Sequence, residues 1–173
     1  MQNTGAIVAH DRDRHRLRPI FERIGRSGAG NIEVLAAEEG GKLSDGAGFD
    51  CVVVDAPCTG TGTWRRKPDA KWKLSEKSLA TRIKEQREVL TRGAALVKRG
   101  GRLAYFTCSL LPEENSDQVA WFLSSHPAFR ILPTASLWTI HLGGPPPDSA
   151  NGSADTLLLT PRLVRIEVAQ ALL

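Results

Sequence analysis

No stretch of this sequence approaches the roughly 20 consecutive apolar residues of a membrane-spanning helix, and the opening MQNTGAIVAHDRDRHR lacks the charged start, apolar middle and small-residue site of a signal peptide. The expectation is a cytoplasmic protein without membrane contact. Cysteine is scarce: three thiols, an odd number, cannot build the disulfide framework of a small secreted domain. No CxxC or Cys/His spacing suggests zinc, the four histidines (His10, His15, His126, His141) are scattered, and no metal is expected. Net charge is also small, at +4. What remains is an ordinary globular composition, 41% hydrophobic and 24% charged over 173 residues, enough for one domain with a hydrophobic core. Neither repeats nor a second domain can be discerned, so residues 1–173 read as a single domain.

That small charge is concentrated. Between Arg65 and Lys77 lie six basic residues (Arg65, Arg66, Lys67, Lys71, Lys73, Lys77) against Asp69 and Glu76, so this segment carries +4 and the rest sums to zero. Trp64 and Trp72 bracket its middle. Cations for phosphate and rings for bases suit an unpaired nucleic acid strand. A solvated loop anchored by two tryptophans accounts for the same residues.

Apolar patterning places the elements. Ala6 to Ala9 is a short buried strand ending at His10-Asp11; Leu17, Ile20, Phe21 and Ile24 recur at helical spacing, with Pro19 expected to kink or shorten that helix before Ser27-Gly-Ala-Gly30 breaks it. Ile32 to Ala36 is a second strand, and FDCVVVD (49–55), β-branched and flanked by turn residues, is the strongest. A long helix is expected from Ser75 to Lys98, with Leu79, Ile83, Leu90, Ala94 and Val97 inward, Lys98 and Arg99 at its C-terminal end and Gly100-Gly101 stopping it. RLAYFT (102–107) is the next strand. Pro112-Glu-Glu-Asn opens a helix with Val119, Phe122 and Leu123 inward. Phe129 to Leu132 and Leu157 to Thr160 are weaker strands, and Gly143 to Gly152 is a loop.

Strands alternating with helices predict a largely parallel sheet covered on both faces. Ligands of such sheets gather beyond the carboxyl ends of the strands. Three strands end in reactive groups: Asp11, Asp55 with Cys58, and Cys108. Two thiols fifty residues apart can therefore share one edge. A thiol ahead of a helix N-terminus, as Cys108 precedes Pro112-Glu113, has a route to a lowered pKa. For each of them, a small buried hydrophobe is the other reading. For Cys51, inside its strand, burial is the expectation.

DAPCTGTGTWRRKPDAKW (55–72) followed by YFTCSLLPEEN (105–115) resembles the Sun-type (RsmB/Nop/Nol) family of RNA (cytosine-5) methyltransferases, over roughly residues 6–160. Together, in this order and separation, the two motifs are highly specific. The resemblance implies a Rossmann-like class I S-adenosylmethionine-dependent methyltransferase fold and an RNA substrate, ribosomal ahead of transfer RNA. It implies that Cys108 adds to carbon 6 of cytosine, that Cys58 assists release of the methylated product, and that Asp55 stabilises charge near both the methyl donor and the base. Asp11 matches the residue that holds the cofactor ribose, with a helix cap as its other reading; Arg16 supports it or is a solvated helix charge. Glu38 stands where the family has an aspartate near the adenine. Arg65, Arg66, Lys67 and Trp72 match the basic loop and are expected to meet RNA.

Two departures accompany the resemblance. The family's first strand and Gly-rich cofactor loop belong just before Ala6, where this chain reads Met1-Gln2-Asn3-Thr4, and RLVRIEVAQALL replaces the family's usual C-terminal segment. The expectation is an N-terminally truncated catalytic domain that self-associates or needs a missing N-terminal segment. The alternative is an inactive remnant that still binds RNA. An exocyclic-amine methyltransferase needs no paired thiols, and a thiol hydrolase would need a Cys-His-Asn pattern that cannot be found here.

Overall fold

The computed structural model describes residues 3–36, 43, 48–149, 156–157 and 168–172. The chain forms two compact units, residues 1–45 and 46–173. Among the described residues no helix is long and apolar enough to cross a membrane.

In the first unit β1 (Ile7–His10) pairs in parallel with β2 (Ile32–Leu35), from Ile7 opposite Ile32 to His10 opposite Leu35. The crossover between them is α1 (Arg14–Ser27). Asp13 caps this helix by accepting from the His15 backbone N–H at 2.9 Å. Pro19 does not shorten it. The missing N–H costs one backbone bond, and the helix runs on for its full 14 residues. The inward stripe is narrower than expected: Leu17 is buried, but Phe21 is largely exposed.

The second unit is built on β3 (Phe49–Asp55) and β4 (Val97–Phe106), which run parallel. Between them in sequence lies α2 (Glu76–Leu96), started by a capping box between Ser75 and Ser78. After β4 come α3 (Ser116–Ser125), β5 (Arg130–Ile131), α4 (Thr134–Leu142), β6 (Thr156–Leu157) and β7 (Val168–Leu172). The sheet order is β3-β4-β7-β5, with β6 also pairing with β7. β7 is antiparallel to β4, β5 and β6, so this sheet is mixed rather than largely parallel. The strand β7 comes from the atypical C-terminal segment, and α4 fills a stretch with no clear helical stripe in the sequence.

Val54, Leu90, Leu103, Tyr105 and Phe122 form the core, where α2 and α3 meet β3 and β4. Among the described residues of the second unit, α2 covers one face of β3. Val54 is buried, whereas Val53 is 63% exposed and Cys51 is exposed too, against the expectation of a buried Cys51. The period-2 alternation of side chains puts Cys51 and Val53 on the face opposite α2.

The Lys98–Gly101 stretch corrects the expected end of α2. The helix stops at Leu96, and Val97 already pairs with Phe49. The next pair is Cys51 with Arg102, so residues 98–101 bulge opposite Asp50 alone. Gly100 supplies a left-handed φ of 76°, and Lys98 pairs with Asp50 and holds its carboxyl below the ordinary range. An ion pair and a tight backbone turn thus occupy residues that resemble a helix stop in the sequence.

Gly93 sets the approach of α2 to the sheet. A Cβ there would stand 2.8 Å from Val54 Cγ2 and 3.1 Å from Leu103 Cδ1. Gly93→Val is expected to cost about 2 kcal/mol through overpacking, lowering Tm by roughly 4–8 °C. An unchanged melting temperature would show that the helix can lift without cost.

Candidate active site

Asp55 ends β3 and Phe106 ends β4, side by side in register. The ladder runs one bond further, Ala56 N donating to Phe106 O at 2.9 Å. Two loops therefore leave the same edge of the sheet together, and both are cysteine-bearing. Gly62 N donates to Cys108 O at 3.0 Å, and Leu110 N donates to Thr61 Oγ1 at 2.7 Å. The buried hydroxyls of Thr61 and Ser109 lie 3.1 Å apart. Gly60, at a φ of 69°, turns the first loop beneath the second; a Cβ there would lie 3.7 Å from Cys108 Sγ.

This stitching brings Cys58 Sγ to 3.2 Å from Cys108 Sγ, and the Cys108 backbone N–H donates to Cys58 Sγ at 3.3 Å. Cys108 is exposed and Cys58 half-buried. The hydrogen bond to Cys108 raises the Cys58 thiol far above the ordinary thiol range, and burial and repulsion from a Cys108 thiolate push the same way. Two thiolates cannot share such a contact, so the pair holds a proton between the sulfurs. The helix expected to open at Pro112 starts only at Ser116, after a 3-10 turn at Pro112–Glu114. The partner that the geometry gives Cys108 is therefore the other thiol.

Three polar residues support the loops. Asn115 accepts from Thr107 Oγ1 at 2.6 Å and donates from Nδ2 to the carbonyls of Ser109 and Leu111, each at 3.0 Å. Glu114 is fully buried and binds Thr59, next to Cys58, through both its backbone N–H (2.8 Å) and its hydroxyl. Gln86 of α2, also fully buried, donates from Nε2 to Pro57 O and to Glu114 Oε1, each at 2.9 Å. Gln86 was missed in the sequence because it sits within an apolar helical stripe; a lone glutamine there between Ile83 and Leu90 was the available signal. Glu114 stands in the sequence only as part of the Pro112-Glu-Glu-Asn helix opening.

The other expected site residues fall as follows. Asp55 is exposed at the last position of β3. Asp11, in the first unit, follows β1; its Oδ1 accepts from the Asp13 backbone N–H at 2.8 Å, and the helix cap itself is Asp13. Glu38 lies outside the described residues. Arg65, Arg66 and Lys67 are exposed between two 3-10 turns, Thr61–Thr63 and Pro68–Lys73. No ion pair among the described residues engages them. Lys73, by contrast, is tied to Asp69 at 2.8 Å, which raises the lysine and lowers the aspartate. Lys71 lies over both rings, 6.0 Å from Trp64 and 5.6 Å from Trp72. Trp72 itself is 82% exposed.

The chain is similar to known proteins. The family described as 16S rRNA methyltransferase RsmB/F matches residues 1–143. The chain is 36% identical over 132 residues to a probable ribosomal RNA small subunit methyltransferase B of Bacillus subtilis, covering 75% of this chain and 30% of that protein. It superposes on a methyltransferase homologue from Pyrococcus horikoshii with a TM-score of 0.64 and 33% identity, over 77% of this chain and 41% of that one. NSun6 from Pyrococcus horikoshii, solved with SFG, an analogue of S-adenosylmethionine, gives a TM-score of 0.72 at 25% identity, over 98% of this chain and 41% of that one. The chain thus spans about a third of the length of the curated relatives it matches. The fold is the Rossmann-like α/β fold of S-adenosylmethionine-dependent methyltransferases.

Proposed function

The chain belongs to the 16S rRNA methyltransferase RsmB/F family, and on that premise we propose that it is the catalytic part of an S-adenosylmethionine-dependent RNA (cytosine-5) methyltransferase acting on ribosomal RNA. The observation that carries this reading is the 3.2 Å contact between Cys58 and Cys108 on loops that leave adjacent parallel strands. Methylating an exocyclic amine needs no thiol, whereas carbon 5 of cytosine is a poor nucleophile until a thiolate adds to carbon 6.

Cys108 is the exposed sulfur of the pair and, in this proposal, the nucleophile. Its addition to carbon 6 breaks the C5–C6 double bond and makes carbon 5 nucleophilic. That bond also removes the charge and the acceptor that held the Cys58 proton in place. Cys58 thus becomes easier to ionise at the stage when a base is needed. Loss of the carbon-5 proton re-forms the double bond and expels the Cys108 thiolate. Asp55, at the end of β3, is placed to stabilise charge on the polar edge of the base.

S-adenosylmethionine, when bound, supplies the methyl group. Asp11, just after β1, is a carboxylate held by the Asp13 N–H and suited to a ribose diol. Arg65, Arg66 and Lys67 are the cations for RNA phosphates and Trp72 the ring for a base.

Incubation with 16S rRNA and a labelled methyl donor, followed by nucleoside analysis, tests the reading. The expected product is 5-methylcytidine. N4-methylcytidine would overturn the thiol mechanism, and RNA binding without methylation would favour an inactive RNA-binding remnant.

A further inference from the structure

Cys58 is flanked by two anchored peptide groups. On one side the Pro57 carbonyl accepts from Gln86 Nε2, and on the other the Thr59 N–H donates to Glu114 Oε1. Both anchors converge on one carboxylate, because Gln86 Nε2 also donates to Glu114 Oε1 and Thr59 Oγ1 donates to Glu114 Oε2. Glu114 belongs to the Cys108 side of the site, a few residues beyond Ser109 and Leu110, which are stitched to Thr61. Tyr105 Oη fixes the Glu114 backbone by donating to its carbonyl at 2.8 Å.

Glu114 is fully buried, and its partners among the described residues, Thr59 and Gln86, are uncharged. A buried carboxylate without a cation is a costly way to fill a core, and so is Gln86, whose Oε1 has no partner among the described residues. The amide cannot flip to satisfy it, since Oε1 would then face the Pro57 carbonyl and the Glu114 carboxylate. Apolar residues of similar size would fill this volume at lower cost. What they could not do is hold the peptides on both sides of Cys58 at fixed points relative to the Cys108 loop.

We propose that Glu114, acting through Thr59 and Gln86, is a positioning residue that holds the Cys58 thiol in contact with Cys108. Its consequence for product release rests on the methyltransferase reading above; its effect on the thiol pair does not.

The test that stands without RNA is the equilibrium of the thiol pair in the full chain with glutathione. One oxidised glutathione is reduced to two thiols as Cys58 and Cys108 join in a disulfide, and the constant gives the effective concentration of one sulfur at the other. Glu114→Gln keeps the shape but removes the charge and replaces the acceptor Oε2 by a donor, so the Thr59 hydroxyl must turn from donor to acceptor. It is expected to lower the effective concentration at least about tenfold, as displacement of a positioned group does. Thr59→Val, which removes only the hydroxyl, is expected to act in the same direction more weakly, and it decides the matter if Glu114→Gln does not fold. Glu113→Gln, an exposed neighbour, serves as the control. The pH profile of Cys58 alkylation should move toward the ordinary thiol range in Glu114→Gln, because the contact that raises it has loosened. Unchanged effective concentration and pH profile in folded variants, with only the melting temperature lowered, would overturn the proposal and leave Glu114 a stability residue. In the RNA assay Glu114→Gln should lower kcat and lengthen adduct lifetime with KM unchanged. If the parent chain makes no 5-methylcytidine, the functional reading falls, and the thiol equilibrium still judges Glu114.

Discussion

Cys108→Ser or Cys108→Ala is expected to lower methyl transfer to RNA by on the order of 10⁴-fold or more, as loss of a covalent nucleophile does. It should also abolish any protein–RNA adduct on denaturing gels. A serine hydroxyl in the same place cannot substitute, because it does not ionise where a thiol does. Cys58→Ala should do the opposite to the adduct. With Cys108 intact, addition to carbon 6 proceeds, but the group that assists release is gone, so a covalent species accumulates. The pair of phenotypes follows from the proposed roles, in which the exposed sulfur adds to the base and the half-buried one assists release. An adduct that persists in Cys108→Ala and vanishes in Cys58→Ala would reverse the roles.

Replacing Arg65, Arg66 and Lys67 together by alanine is expected to flatten the salt dependence of RNA binding. The slope of log affinity against log salt should fall by about 2 for a single strand, or about 2.7 for a duplex, if each cation meets a phosphate. These three side chains are exposed and carry no ion pair among the described residues, whereas Lys73 is already neutralised by Asp69. Lys73→Ala should therefore change the slope much less. Trp72→Ala should weaken binding by about 1–3 kcal/mol through lost stacking, with little change in slope, since its contribution is not ionic. Equilibrium titrations over a range of salt separate the two effects. A slope unaltered by the triple substitution would reduce the loop to solvated surface.

Much of the architecture is local chemistry and so could be read from residues alone. FDCVVVD forms β3 from Phe49 to Asp55, because a β-branched run between turn residues has few other conformations open to it. Ser75 starts α2 by capping. The long-range terms could not be read in this way. Val97 to Gly101 resemble a helix end in sequence, yet pairing of Val97 with Phe49 and of Lys98 with Asp50 draws them into β4. Cys51 sits in an apolar run but faces the side of β3 opposite α2. The segment 168–172 gains its strand conformation by pairing with β4, β5 and β6.

By itself the sequence determined that two thiols follow two strands, that a carboxylate ends the first of these, and that the positive charge is concentrated in one loop. Those are properties of composition and order, which folding does not alter. Tertiary structure alone decided that the strands are neighbours and parallel, which brings sulfurs fifty residues apart to 3.2 Å. It also decided that the Cys58 thiol is pushed above the ordinary range, because that depends on the contact with Cys108 and on burial rather than on neighbours in the chain. Glu114 and Gln86 acquire their places in the same way. A carboxylate in a first turn and a glutamine in a helix are ordinary until packing excludes water from both, and then their hydrogen bonds must go to one another and to the peptides beside Cys58.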